Sequence, residues 1–253
     1  MFSWQAAIIT YIILSHISGA IFSVYVHRGI GHRHFDFNPS LAHVFRFWLW
    51  FGSGHCWDNW MQHWAAKHRK HHATADTPED PHSPFYYSFF EMFSVSHSDP
   101  SKPNYISPKE IKKYAPDVKS ADDWVERNIY CKYPKLGLAL FAVMMTVLFG
   151  IPGLVLGLFN YFFIGHFFIF FGNYAFHKIG WKYATVSNVD KARIFCPWGI
   201  FSGGEELHAH HHNDPNNPNY RHNWWEIDIG WQYSKILMAL GLMSLRKKDK
   251  KRV

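Results

Sequence analysis

The sequence is poor in cysteine. Cys56, Cys131 and Cys196 are all it has in 253 residues. They stand far apart with no CxxC spacing, which excludes a disulfide framework and a zinc ribbon and places the chain in a reducing compartment. No HExxH occurs, so a membrane zinc hydrolase of that type is not supported. The full ferritin-like set of Glu plus Glu-x-x-His motifs is not apparent either, which argues against a carboxylate-rich di-metal bundle. Flavin, haem and cysteine-rich iron–sulfur motifs are missing, so any redox chemistry draws its electrons from outside. The first residues lack a cationic stretch and an A-x-A-like cleavage site, and the N-terminus therefore reads as a retained membrane span rather than a signal peptide. No internal repeat is visible.

What the sequence holds instead is apolar bulk and histidine. It is 48% hydrophobic and 19% aromatic, with 12 Trp and 23 Phe. The mean hydropathy is nevertheless slightly negative, which implies membrane spans joined to a sizeable polar part. There are 19 histidines, and no structural role demands so many of the commonest metal ligand. The formal charge is +7, much of it in the tail Arg246-Lys247-Lys248-Asp249-Lys250-Lys251-Arg252. Beside membrane spans, such a run marks a cytoplasmic flank rather than a nucleic-acid surface.

Residues 4–26 are almost wholly apolar or small and long enough to span a bilayer. A second apolar run extends from Leu136 to Phe176, and Gly150-Ile151-Pro152-Gly153 divides it into a hairpin with arms 136–149 and 153–176. Residues 41–57 are apolar but carry His43, Arg46 and His55, and read as an interfacial or partly buried helix. Ser120 and Asp123 resemble a capping box opening a helix over about 121–131. The fold class expected is an all-α integral membrane protein in a single domain, residues 1–253. Its helical transmembrane stem carries a helical cap made of 27–135 and 177–253. Both cap segments fall on one face, which the basic tail marks as cytoplasmic.

Every histidine cluster falls on that face. Box one is His27-Arg28-Gly29-Ile30-Gly31-His32, box two is His68-Arg69-Lys70-His71-His72, and box three is His208-Ala209-His210-His211-His212. A fourth motif, Asn173-Tyr174-Ala175-Phe176-His177, closes the second arm of the hairpin. In boxes two and three, histidines at i, i+3 and i+4 share one helix face. Asn173 and His177, at i and i+4, also share one. Box one is weaker, since i and i+5 lie roughly 140° apart on an ideal helix; Gly29 and Gly31 are expected to let it unwind and turn His32 back toward His27. At this histidine content chance supplies roughly 0.1 HxxHH matches per chain, and here there are two. His27, His32, His68, His71, His72, His177, His208, His211 and His212 exceed the needs of one zinc but suit two metals of four or five nitrogens each. Iron fits that count, since two adjacent irons can bind O₂ and share the electrons needed to cleave it.

The segments HRGIGHR, FRFWLW, HRKHHATADTPEDPHSP, GNYAFHKIG, CPWGIFSGGEELHAHHH and WWEIDIGWQY resemble the membrane fatty acyl desaturases of the delta-9, acyl-CoA type, especially bacterial forms, over about residues 15–240. The resemblance implies one metal on His27, His32, His72 and His212, with Asn173 holding a water to it. It implies a second on His68, His71, His177, His208 and His211, with a bent acyl tunnel below. No catalytic residue beyond the metal ligands is expected. The implied reaction uses two iron ions and O₂ to remove two hydrogens from neighbouring carbons of a saturated fatty acyl chain, acyl-CoA foremost, leaving a cis double bond. The implied partners are the lipid bilayer and an electron donor such as ferredoxin or a b-type cytochrome with its reductase. The chain departs from the family in showing one span before box one where two are usual. It also has glycines inside box one, and Ala209 and His210 where amides are usual. A di-iron membrane hydroxylase is the rival enzyme. A histidine-rich metal transporter or sensor is the rival outside enzymes, though its ligands would line a path through the membrane.

Glu205, Glu206, Asp76 and Asp80 border the boxes and are candidates to accept the free N–H of metal-bound imidazoles, with surface charge the equal alternative. His210 points off the ligand face. His34, His43, His55, His63, His97 and His222 read as structural or solvated, and His82 as a family position without a ligand role. Trp224, Trp225 and Trp231 line the acyl tunnel or, with better odds, pack the cap. His16 and His166 each stand eleven residues, about 16 Å, below a ligand on the same helix. Both are expected to point inward beneath the metals.

Overall fold

A computed structural model describes residues 3–54, 59–88, 90–91, 101, 105–183 and 189–247, without the side chains of 165–171. It is mostly helical, with three two-stranded pairs among the described residues. Helix α1, Trp4–Ile21, starts behind Ser3, whose hydroxyl accepts from the Ala6 N–H. It does not stop at His27. The helix continues as a π-helical stretch, Phe22–Gly31, so that box one is its last part. The whole element, Trp4–Gly31, has 28 residues and is the one helix among those described that is long and apolar enough to cross a membrane. At 28 residues it reaches up to roughly 42 Å, more than the ~30 Å hydrocarbon core of a bilayer.

The hairpin expected after Leu136 is present, with different bounds. Helix α5 (numbering the cap helices α2–α4 below) runs Pro134–Phe149, with Pro134 in its first turn where a missing N–H costs nothing. Helix α6 runs Ile151–Ile169 and continues as a π-helical stretch, Phe170–Ala175. The break is one residue, Gly150, at φ 60° and ψ −133°, a conformation that L side chains rarely adopt. Pro152 and Gly153 fall inside the first turn of α6 rather than in the loop. The close approach of the arms explains Gly153, where a Cβ would stand 1.8 Å from the Met145 carbonyl oxygen. Gly153→Ala is therefore expected to splay the hairpin, costing about 1–3 kcal/mol. A lowered thermal midpoint in detergent checks this. Gly172→Ala, with nothing within 4 Å of its Cβ, is expected to leave the midpoint unchanged.

By length α5 and α6 are shorter apolar helices. Ile9, Ile12 and Ile13 on α1, Val143 and Val147 on α5, and Phe162 on α6 are exposed. An apolar face of that extent marks contact with lipid or protein. Tyr11 of α1 donates to Asn160 of α6 at 3.4 Å, and Asn160 donates to the Gly52 carbonyl at 3.1 Å, which ties α1 and α6 to the segment around Gly52 by polar groups.

Above the stem, α2 runs Pro39–Trp48 behind the capping side chain of Asn38 and continues as a π-helical turn, Leu49–Ser53. It covers most of the segment read as interfacial; residues 55–57 lie outside the described ones. Helix α3, Trp60–Thr74, carries box two, and α4, Pro108–Tyr114, packs on it. The helix expected over 121–131 is shorter, because the cap is Asp123 and not Ser120. Asp123 accepts from the Glu126 N–H at 2.9 Å, and a π-helical turn follows at Glu126–Tyr130. A full capping box does form elsewhere, between Ser107 and Glu110 at the start of α4. Helix α7, His208–Asn213, carries box three, and α8 is Ile229–Ala239. Strand β1, Phe35–Phe37, pairs antiparallel with β6, Met243–Leu245. Strand β2, Trp181–Lys182, pairs with β3, Arg193–Ile194, and β4, Trp198–Gly199, runs parallel to β5, Ile227–Asp228. The β1–β6 pair fastens the two cap segments to each other, and the other two pairs brace the second segment internally.

Candidate metal centre

The structure brings all nine predicted histidines together. Box one does so by local unwinding of the helix into a π-helical stretch. The π-helical stretch bonds His32 N–H to the His27 carbonyl at 3.0 Å. In such a ladder residues five apart stack above one another. Gly31 also serves close packing, since a Cβ there would stand 3.0 Å from the Trp64 ring and 3.1 Å from that of His68.

The rings form two groups. His27, His32, His68, His72 and His211 place one nitrogen each within 4.8 Å of one another, and His71, His177, His208 and His212 do the same. The grouping differs from the one that the resemblance implies: His68 and His211 join the box-one histidines, and His212 joins His71, His177 and His208. In the first group His68 Nε2 lies 2.9 Å from His27 Nε2, 2.7 Å from His32 Nε2 and 3.1 Å from His72 Nε2. In the second, His177 and His208 meet at 3.1 Å and His71 and His212 at 3.3 Å, again through Nε2. His211 and His72 meet at 2.9 Å within the first.

Carboxylates fix which nitrogen faces inward. Glu205 accepts from His27 Nδ1 at 2.5 Å, Asp80 from His71 Nδ1 at 2.8 Å, Asp76 from His177 Nδ1 at 2.8 Å and Asp190 from His212 Nδ1 at 2.7 Å. With the proton held at Nδ1, each Nε2 presents a lone pair to its neighbours. Lone pairs converging at about 3 Å repel unless a cation lies among them, and neighbouring ligands about 2.1 Å from one ion stand about 3 Å apart. The donor sets therefore fit metal. Burial and then the adjoining imidazoles push His32, His68, His72, His208, His211 and His212 well below the usual histidine range, which keeps them neutral and ready to ligate. His71 goes the other way: burial opposes its charge most strongly, but Asp80, Asp76 and Asp190 together outweigh it.

Of the four carboxylates picked out from the sequence, Glu205, Asp76 and Asp80 hold imidazoles. Glu206 accepts from the Ser202 N–H at 2.8 Å instead. Asp190 is the acceptor that sequence reading missed; it is one residue in a loop, with no box beside it.

The comparisons with known proteins point the same way. The family model described as fatty acid desaturase matches residues 2–228. The chain belongs to the fatty acid desaturase family. It is 31% identical to the sn-1 stearoyl-lipid 9-desaturase of Synechocystis sp. over 95% of this chain and 71% of that one. It is 27% identical to the sn-1 stearoyl-lipid 9-desaturase of Anabaena variabilis, over 99% of this chain and 87% of that one. To the icosanoyl-CoA 5-desaturase of Limnanthes douglasii it is 28% identical, over 95% of this chain and 65% of that one. As a member of this family the chain is an oxidoreductase.

Boxes one and two of the desaturase each carry an arginine, and both arginines are structural. Arg28 is fully buried. Its Nη2 donates to both oxygens of Asp228 at 3.0 Å, its Nε to the Pro218 carbonyl at 2.9 Å and its Nη1 to the Gly203 carbonyl at 3.0 Å. Nη1 also reaches Ser23 and Glu205, and the guanidinium lies 3.7 Å from the ring centre of Tyr220. One side chain thus joins box one to the segment after box three. Arg69 donates to the carbonyls of Gly31 at 2.6 Å and Ile30 at 3.0 Å, satisfying the C-terminal end of the π-helical stretch. Neither arginine was singled out from the sequence, although each stands beside a histidine inside a box.

His210 points away from the groups, its Nε2 2.8 Å from Glu226. His34 bonds to the Pro215 carbonyl at 3.1 Å and His43 to Arg46 at 3.3 Å, both structural roles. His82 is buried, its ring 4.3 Å from that of His71. Trp224 is 87% exposed and Trp225 is exposed too, while Trp231 stacks on Phe35. His16 points between helices as expected, its Nε2 2.8 Å from the Tyr233 hydroxyl of α8, and both line an apolar groove of about 290 Å³. His55, His97 and the side chain of His166 lie outside the described residues. Asn173 is half-buried in the π-helical stretch that precedes His177.

Proposed function

We propose that the chain is an O₂-dependent fatty acyl desaturase in which the nine histidines hold two irons. The observation carrying this reading is the pair of all-imidazole groups, with Nε2 lone pairs turned inward and Nδ1 protons tied to carboxylates. When bound, two irons supply the O₂ activation needed to remove two hydrogens from adjacent CH₂ groups. The chain's residues position and protect that chemistry. Asp76, Asp80, Asp190 and Glu205 orient four rings, Arg28 and Arg69 lock the helix end that carries box one, and burial of His177 and His211 excludes water. Asn173 is assigned a water-mediated contact with one iron.

The stem of α1, α5 and α6 is assigned to the bilayer in a multi-pass arrangement, with the cap on the cytoplasmic face. Electrons come from a separate donor, a ferredoxin or a b-type cytochrome with its reductase. The double bond is placed in a saturated chain, cis and at the delta-9 position, with acyl-CoA the carrier read from the sequence. The names of the two cyanobacterial relatives favour a second carrier, a lipid-bound stearoyl chain.

Expression of the full chain in a host without its own desaturase, with a working donor, tests the reading. Monounsaturated acyl chains are expected, and separating the CoA and lipid pools at early times shows which carrier gains them first. A product heavier by one oxygen would mean hydroxylation. Unchanged lipids, with folded and iron-loaded protein, would end the proposal.

A further inference from the structure

We infer that the two histidine groups hold their ions unequally. The group of His71, His177, His208 and His212 loads first and keeps its ion, whereas the group of His27, His32, His68, His72 and His211 loads last and releases first. The inference rests on the two-metal reading and adds to it an order of loading, which makes the five-imidazole group the point at which iron supply limits the enzyme.

The asymmetry lies behind the rings. Three of the four imidazoles in the smaller group donate to carboxylates: His71 to Asp80, His177 to Asp76 and His212 to Asp190. These carboxylates are held in turn. Asp80 Oδ2 accepts from the Asp76 N–H at 2.9 Å, Asp76 Oδ2 from the Lys191 N–H at 2.8 Å, Asp76 Oδ1 from Ser83 Oγ at 2.7 Å, and Asp190 Oδ1 from the Ala192 N–H at 2.9 Å. The result is a fixed anionic cradle made from the turn after α3 and the loop before β3.

The five-imidazole group has less behind it. Among the described residues, His27 alone of its rings reaches a carboxylate within hydrogen-bonding distance. That carboxylate, Glu205, is shared with the Arg28 guanidinium at 3.4 Å and with the Ser23 hydroxyl. A buried Nδ1 without a partner among the described residues occurs once in each group, at His211 here and at His208 in the smaller group, so the contrast rests on the carboxylates.

Magnitudes decide between one more ligand and more carboxylates. A carboxylate behind a ligating imidazole is worth about 10- to 100-fold in metal affinity. The smaller group has two more such links than the larger. The larger group offers one more neutral nitrogen, and its one carboxylate is divided between a cation and an imidazole. Even discounted for coupling among neighbours, about 10-fold in favour of the smaller group remains.

The test is timed release of iron from the loaded full chain in detergent to a ferrous chelator, with iron counted per chain. Two phases of one iron each are expected, the second at least about 10-fold slower. Asp190→Asn or Asp76→Asn is expected to speed the slow phase, and Glu205→Gln the fast phase alone. His32→Ala supplies the assignment where an aspartate variant fails to accumulate, and is expected to remove the fast phase and leave the slow one. Release of both irons in one phase overturns the inference, as does loss of the slow phase in His32→Ala. A wild-type chain that binds fewer than two irons would instead overturn the two-metal reading.

Discussion

Replacing His68 by alanine is expected to abolish desaturation, with product falling at least about 100-fold and one iron per chain lost. Removing a ligand costs more than removing a group behind it, for which about 10- to 100-fold is typical. His68 is the sharpest choice because its Nε2 stands within 3.1 Å of three others, those of His27, His32 and His72. Its ring lies nearly flat on Trp64, at 4.8 Å and 15°. Alanine would leave the ion that the group encloses with one central ligand fewer. Product quantitation and iron analysis on the same preparation check this. His210→Ala is the contrast: its ring serves Glu226 and not either group, so the iron count is expected to stay at two. A His68→Ala chain that keeps both its irons and its activity would show that the five-imidazole group is not a metal site.

Replacing Arg28 by methionine is expected to cost about 3–5 kcal/mol of stability, the range for breaking a buried ion pair on one side. Asp228 and Glu205 would be left buried without their cation, and the carbonyls of Gly203 and Pro218 without a donor. The Asp228 carboxylate also accepts from the N–H groups of Tyr220 and Trp231, so the disturbance reaches the start of α8. Arg28→Lys is expected to fall between the two, because lysine has one charged point in place of the planar fork that grips both Asp228 oxygens. Thermal unfolding of the detergent-solubilised chain reads the effect. A wild-type midpoint in the Arg28→Met chain would contradict this role.

Six of the nine converging histidines were legible because i, i+3, i+4 spacing on a helix is a one-dimensional signal; His27, His32 and His177 stood out through box one and the motif that closes the hairpin. Their grouping was not. Which rings meet depends on the angle at which α3 and α7 approach each other, and on the π-helical stretch that aligns His32 over His27. The pattern of box one showed that something other than an ideal helix was needed. It did not show that the unwinding takes the form of a π-helix, since Gly29 and Gly31 let the backbone loosen in more than one way. Asp190 was invisible for a related reason: it reaches His212 through a loop fold that no local pattern encodes. Arg28 and Asp228 stand 200 positions apart, so their pairing exists only in three dimensions.

The stem shows the same division. Apolar length located α1 and the hairpin, but the site of the break depended on one residue. Pro152 can open a helix as well as interrupt one, and Gly150 alone carries the turn. Near 120, two capping patterns overlapped in sequence, and the hydrogen bond from Glu126 to Asp123 decided the start.

Diffraction from crystals of the iron-loaded chain, recorded at the iron absorption edge, tests the central claim most directly. Two anomalous peaks are predicted, one inside the group of His27, His32, His68, His72 and His211 and one inside the group of His71, His177, His208 and His212. A single peak, or rings that close on each other with no iron signal between them, would contradict it.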